Sequence, residues 1–331
     1  MLNQSQDFIV SSMVYWEAFT AFIMDQSLDN LAYLSPFCEP DKTVSHYVNP
    51  WTGVSTALFL YLAKVAIIMR HKRLVDKMHI LPTGPSSGNI LLNQIFAEAR
   101  RVEQQILSFS LPSVATLQDP GDHRSPITHL VDLARCYRLA ALLELYRTFP
   151  ALLLDAADEQ AETDMTPTSS NSATLEQKAA DRVYQLACAI LTILKSLPID
   201  AGSRCTQPIL FVIAGSALAR PQTPGEEDAE SSLAASGTAT LQFESIEHEL
   251  SDVSRRRPHL EYWRTFVRER FISLYRYIGL DYVRRMAIIV ERAWTRMDIA
   301  SAVPESPRAQ RPDQIHWMDV MSEERLETIM G

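Results

Sequence analysis

The longest run of helical periodicity lies in the last third of the chain, from Trp263 to Met297. Val283, Met286, Ala287, Val290 and Trp294 recur at i, i+3, i+4, i+7 and i+11 and so line one side of a helix. Arg284, Arg285, Glu291, Arg292 and Arg296 take the opposite side. Gly279 divides the stretch, which predicts two amphipathic helices rather than one. Leu130, Leu133, Ala134, Tyr137, Ala141 and Leu145 set out a second stripe over Ile127 to Phe149. A third runs through Leu175, Ala179, Val183, Leu186, Ile190 and Ile193 and ends before Pro198. Phe8 to Met24 is apolar almost all round and reads as a buried helix. "NPWTGVSTALFLYLAKVAIIMRHKR" predicts a long helix with Thr52 or Ser55 as N-cap. Its cationic end, Arg70, His71, Lys72 and Arg73, suits a helix C-terminus, where positive charge complements the dipole. A further helix is expected over about Ile90 to Phe109, and "QPILFVIAGSALA" is a short, very apolar element.

Between these elements the pattern lapses. Leu34 to Pro50 and Leu111 to Pro126 read as loops. Asp155 to Asp164 holds five acids and no base, and "TPTSSNS" follows it, which marks a flexible insertion over about 155–174. A second insertion is expected over about 220–240, with helix resuming near Phe243. No alternation of strand period and no fixed repeat is present. The fold class predicted is all-α: one large domain of about ten helices with two flexible insertions.

Composition narrows the function classes. Apolar residues make up 47% and there are only 10 glycines, which fits a helical core better than a turn-rich all-β fold. A net charge of −9 argues against a broad nucleic-acid-binding surface. Cys38, Cys136, Cys188 and Cys205 are far apart with no C-x-x-C pair, so neither a zinc site nor a disulfide framework is read from them. Cys188 lies on an apolar helical face and is expected to be a buried thiol. No basic region followed by an apolar core opens the sequence, so no secretory leader is expected. The run from Val54 to Met69 is too short for a bilayer and contains Lys64, so no membrane partner is expected.

The motif search assigns no chemistry. Neither G-x-G-x-x-G nor G-x-x-x-x-G-K-[ST] occurs. Ser216 lacks the G-x-S-x-G turn of a hydrolase nucleophile, and His248 has no second imidazole at zinc-ligand spacing. No D-D-x-x-D is present for diphosphate chemistry. His123, His129 and His316 read as structural or surface histidines, and the groups Tyr15–Trp16, Tyr262–Trp263–Phe266 and Trp294 as core. Basic runs at Arg100–Arg101, Arg255–Arg256–Arg257 and Arg284–Arg285 sit in acidic surroundings, with "SRRRPH" a weak match to a nuclear-import address. No catalytic, metal or DNA-binding residue is therefore assigned, and the chain is read as a non-enzyme. Leu210, Phe211 and Gly215, with Val290 and Trp294, are assigned to core or to the lining of a pocket.

Several segments in order carry a resemblance: "NPWTGVSTALFLYLAKVAIIMR", "YRLAALLELYRTFP", "QPILFVIAGSALARPQ", "WRTFVRERFISLYRYIGLDYVRRMAIIVERAWTRMD" and the terminal "HWMDVMSEERLETIMG". Together they resemble the fungal-specific regulatory domain that follows the DNA-binding module of fungal binuclear zinc cluster transcription factors. That domain is all-helical. The resemblance implies residues 1–47 as an N-terminal helix and loop and residues 48–331 as the regulatory domain. It implies a nuclear regulator of RNA polymerase II genes, with those of a secondary-metabolite pathway as candidate targets. Other transcription factor subunits or coregulators, a homo- or heterodimer and a small-molecule effector are the partners it suggests. The six-cysteine cluster that holds two zinc ions in such factors has no counterpart in residues 1–47, which contain only Cys38. Zinc is thus expected only with an N-terminal module outside this sequence, and DNA contact only indirectly or through that module. Two other classes stay open: a helical enzyme or ligand-binding protein of secondary metabolism, and a plain protein-interaction scaffold.

Overall fold

In a computed structural model, the described residues are 4–38, 48–79, 85–154, 169–219, 260–302 and 311–328. They hold nine α-helices and no β-strand. These are α1 (Gln4–Thr20), α2 (Thr56–His79), α3 (Pro85–Ser108), α4 (Ile127–Thr148), α5 (Ser169–Ser196), α6 (Pro208–Gly215), α7 (Leu260–Ile278), α8 (Asp281–Ala302) and α9 (Trp317–Glu323). The all-α expectation holds. The segments 155–168 and 220–259, which include most of one expected insertion, all of the other and the helix expected near Phe243, lie outside the described residues.

The core is built around α2 and α4. Leu58 to Ala63 and Val65 to Met69 are buried on every side because α1, α3 and α4 all pack against α2. The most extensive helix pair is α4 with α5, and Cys136, Tyr137, Leu139 to Leu143 and Leu145 have no path to solvent. Burial of this many branched side chains, at about 1.5–3 kcal/mol each, is what offsets the entropy of ordering the chain. The short α6 is the most enclosed element. All eight of its residues are buried, and it touches α4, α5, α7 and α8. Pro208 opens it at a position where a missing N–H costs nothing.

Gly279 separates α7 from α8, as its position in the sequence predicts. It adopts φ +69°, the left-handed turn that glycine takes without strain, and its N–H bonds Tyr275 O at 2.9 Å. On α7, Arg270 is buried without a carboxylate and donates to Leu194 O (3.2 Å), Lys195 O (3.3 Å) and Leu197 O (2.7 Å). Its guanidinium thus caps the C-terminus of α5, where carbonyls lack intrahelical partners.

Three expectations need correction. First, α1 is not buried all round. Val14, Tyr15, Ala18 and Phe19 enter the core, whereas Phe8, Ile9, Met13 and Trp16 face solvent. Apolarity on all sides leaves a helix without an amphipathic signal, so it cannot tell which side the rest of the chain covers. Second, the cationic cluster of α2 is not its end. The helix runs on through Leu74, Val75, Lys77 and Met78 to His79, because no breaker comes before Pro82. Third, α5 starts at Ser169, inside the expected insertion of 155–174 and ahead of the apolar stripe. Its polar opening turns carry no periodic signal to reveal them.

Candidate functional site

Buried polar groups from several helices come together where α6 ends. α6 leaves C-terminal carbonyls that its own backbone cannot satisfy. Three side chains from three other helices bond carbonyls at its end and in the turn just beyond it. Trp294 Nε1 on α8 donates to Gly215 O at 2.7 Å, Arg147 on α4 donates to Ser216 O at 2.8 Å, and Arg264 on α7 donates to Leu218 O at 3.1 Å. Arg147 also donates to Ser216 Oγ at 3.0 Å. Arg264 forms a two-pronged pair with Asp298 on α8, at 2.8 and 3.0 Å, and lies over the Trp294 ring 5.3 Å from its centroid. Arg268, itself paired with Glu291 at 2.5 and 3.1 Å, lies 4.9 Å from the same centroid.

The C-terminal segment closes the junction. Arg147 reaches Ile315 O at 2.6 Å, and the next residues bring a buried carboxylate into play. Glu144 on α4 is fully enclosed. It accepts from Trp317 Nε1 at 2.6 Å and meets His316 Nε2 at 2.7 Å. The opposite ring nitrogen, Nδ1, accepts the Met318 N–H at 3.1 Å, so His316 is the N-cap of α9. An accepting Nδ1 places the proton on Nε2, facing Glu144. Burial pushes His316 down to about 4, helped by the nearby cations Arg73 and Arg147 and opposed by Glu144. Its ring is neutral at ordinary pH. Burial would raise Glu144, but His316, Arg147 and the Trp317 N–H outweigh it and hold the carboxylate below its usual range. Outside this pair, Arg73 on α2 forms a two-pronged ion pair with Asp319 on α9, and the Trp317 ring packs 5.3 Å from Phe22 just beyond α1.

All five sequence-assigned residues are buried here. Val290 and Trp294 meet Gly215 directly. A Cβ built on Gly215 would sit 3.2 Å from Val267 Cγ1 and 3.3 Å from Val290 Cγ1. Phe211 packs on Phe266 and Phe271 at 6.0 and 5.9 Å, and Leu210 lies in the same enclosed turn. An open groove of about 420 Å³ lies elsewhere, against Leu28, Ile68, His71, Gln94, Ile95 and Glu98. The residues that sequence reasoning missed are Glu144, Arg147 and Arg264. Glu144 had one signal, as a single acid inside the otherwise apolar "LAALLELY".

Arg255, Arg256 and Arg257 lie outside the described residues, and the other cations considered for a phosphate surface are engaged within the chain. Arg70 donates to Phe22 O and His71 contacts Gln26 O, both at 3.1 Å, and Lys72 pairs with Asp76 at 2.7 Å. Arg284 and Arg285 share Asp281, and Arg296 takes Glu323 and Glu324. Among the described residues, no group of three or more His, Cys, Asp or Glu is placed to hold a metal ion. No described helix is long and apolar enough to cross a membrane. Cys136 and Cys188 are buried thiols. The arrangement at the end of α6 ties α2, α4, α6, α7, α8 and α9 together.

The sequence family described as fungal specific transcription factor domain matches residues 1–331. No curated protein and no solved structure matches the chain.

Proposed function

The chain belongs to the fungal specific transcription factor domain family, and from this premise we propose that it regulates RNA polymerase II genes in the nucleus as a protein-binding helical body. A part in transcription regulation follows from the membership itself. The family match across 1–331 is the observation that carries the reading. The body would meet other transcription factor subunits or coregulators, and DNA would be contacted through a partner or a separate module. Two features support this indirect route. The net charge is −9, and the arginines of α8 and the C-terminal half of α2 are matched by acids or carbonyls of the chain itself. A DNA backbone would have to displace these pairs before gaining from counterion release.

The test is a tethering assay. The 331 residues are fused to an unrelated DNA-binding domain and placed upstream of a reporter. A several-fold change in transcript, up or down, is expected, together with nuclear accumulation of the tagged chain. An inert fusion that is folded and bound at the promoter refutes the proposal. RNA sequencing of a deletion strain tests the finer proposal that the targets are secondary-metabolite genes.

A further inference from the structure

We propose that the groove between α2 and α3 seats a basic amphipathic helix of a partner protein, a proposal that rests on reading the chain as a protein-binding body. The two helices run antiparallel. Lys64 Nζ on α2 donates to Gln105 Oε1 on α3 at 3.3 Å, and further along Ile68 and His71 line the groove with Glu98 and Gln94. The same register, carried three residues on, sets Leu74 against Leu91, with Met78 and Ile90 beside them. Leu74, Met78, Ile90 and Leu91 are 55%, 52%, 62% and 43% exposed. Leu74 and Met78 follow His71 at i+3 and i+7, and Ile90 and Leu91 precede Gln94 by four and three, so each pair shares a helix face with the groove wall. Ile68 and Ile95 form a buried apolar floor, which these four side chains continue into solvent. From Ile68 to Met78 the groove runs about 15 Å, nearly three helical turns.

Length and charge select the occupant. A helix laid along the groove offers apolar side chains at i, i+3 or i+4 and i+7, a reach of about 10 Å that fits within it. A small molecule filling the cavity alone would leave Leu74, Met78, Ile90 and Leu91 in water. One end of the groove is acidic. Leu28, which lines it, opens the 3-10 turn Leu28–Leu31, and Asp25 and Asp29 on either side of it are exposed, with no ion pair among the described residues. Glu98 adds a third carboxylate. Its partner Arg101 has a side chain 65% exposed, and a pair so open to water is readily shared with an incoming cation. The neighbouring cations of α2 are committed elsewhere: Arg70 to Phe22 O, His71 to Gln26 O and Lys72 to Asp76. The occupant therefore carries lysine or arginine at the end beside Leu28 and an apolar stripe running toward Leu74 and Leu91. An acidic helix would bring its carboxylates against three others.

Fluorescence anisotropy on the full chain tests this with a short labelled helical peptide bearing leucines at i, i+4 and i+7 and two lysines at one end. Saturable binding in the micromolar range is expected. The double variant Leu74→Asp, Leu91→Asp should weaken it at least about tenfold at an unchanged melting temperature, since both side chains are exposed. Ala97→Trp, which fills the groove and leaves the leucines in place, should do the same. Asp25→Asn with Asp29→Asn should weaken binding several-fold and flatten its salt dependence. No binding by the peptide overturns the proposal, as does binding that survives the double aspartate variant. So does equal binding by a peptide with glutamates in place of its lysines, or saturable binding of octylamine, the probe for a small organic cation, where the peptide fails. A reporter fusion separates this inference from the regulatory reading. If the Leu74→Asp, Leu91→Asp fusion is as active as the wild type, the groove assignment alone is overturned. An inert wild-type fusion that still binds the peptide refutes the regulatory reading and upholds the groove.

Discussion

Replacing Glu144 by glutamine tests the buried junction at its centre without changing its shape. The carboxylate receives two N–H groups, from His316 at 2.7 Å and Trp317 at 2.6 Å. An amide oxygen can serve one of them, and the amide NH₂ then points at the other donor. The ring cannot escape by moving its proton, because Nδ1 is already used by the Met318 N–H. One buried donor is therefore orphaned, at about 1–3 kcal/mol, and the surviving bond loses its charge assistance, at about 1 kcal/mol. Arg147 also loses a neighbouring negative charge. Together these give about 3–5 kcal/mol, a large share of the roughly 5–15 kcal/mol that holds a domain together. Urea unfolding followed by tryptophan fluorescence and by circular dichroism reads the loss as a fall in midpoint at unchanged slope. A loss below about 1 kcal/mol would falsify the assignment, since it would mean that His316 and Trp317 have other acceptors.

Three further outcomes are expected. Trp294→Ala should cost about 3–5 kcal/mol through the cavity it leaves, and Trp294→Phe about 1–3 kcal/mol through the lost bond to Gly215 O; an unchanged melting temperature for the alanine variant would remove Trp294 from the core. Gly215→Ala should destabilise by about 1 kcal/mol, because its new methyl presses on Val267 and Val290, and a background carrying both Val267→Ala and Val290→Ala should cancel most of that penalty in a double-mutant cycle. Stability should also fall on acidification. His316 binds its proton near 6.5 when unfolded and near 4 when folded, so the unfolded state holds more protons between those values, and about 3 kcal/mol is lost as pH drops from 6.5 to 4. Glu144, lowered in the fold, adds to the loss in the same direction at the acid end. A His316→Asn protein keeps a capping side chain but no titrating ring; if its stability falls as steeply as that of the wild type between pH 6.5 and 5, the neutral-histidine assignment is wrong.

Helices whose burial is one-sided were legible in the sequence. The stripe through Val283, Met286, Val290 and Trp294 marks the inner face of α8, and four of its members are fully buried. Ile127 to Phe149 was bounded almost to the residue, because Pro126 fixes one end and Pro150 follows the other. Where the signal was uniform it failed. The face of α1 could not be assigned, and the end of α2 was placed too early because its cations looked terminal. The polar junction was illegible for a different reason. Glu144 meets His316 and Trp317 across more than 170 positions, and Arg147 meets Ser216 and Ile315 across 69 and 168. No local period encodes such pairs; they exist only once α4, α6 and the C-terminal segment have been brought together.

That long-range wiring bears on how a regulatory domain of this kind should be dissected. The last described residues are part of the core: Trp317 is fully buried against Phe22, His316 and Trp317 hold Glu144, and Asp319 holds Arg73. Arg292 and Arg296 of α8 also depend on Glu323 and Glu324. A deletion after Gln314 would strip partners from a buried carboxylate and from Arg73, Arg147, Arg292 and Arg296 at once. Its effect on transcription would then report unfolding, at several kcal/mol, rather than the removal of an activation surface. Surface changes at Glu323 and Glu324 are the informative alternative. They leave Trp317 and Glu144 in place while exposing Arg292 and Arg296, so a changed reporter output with an unchanged melting temperature would locate a partner's footprint on this side of α8.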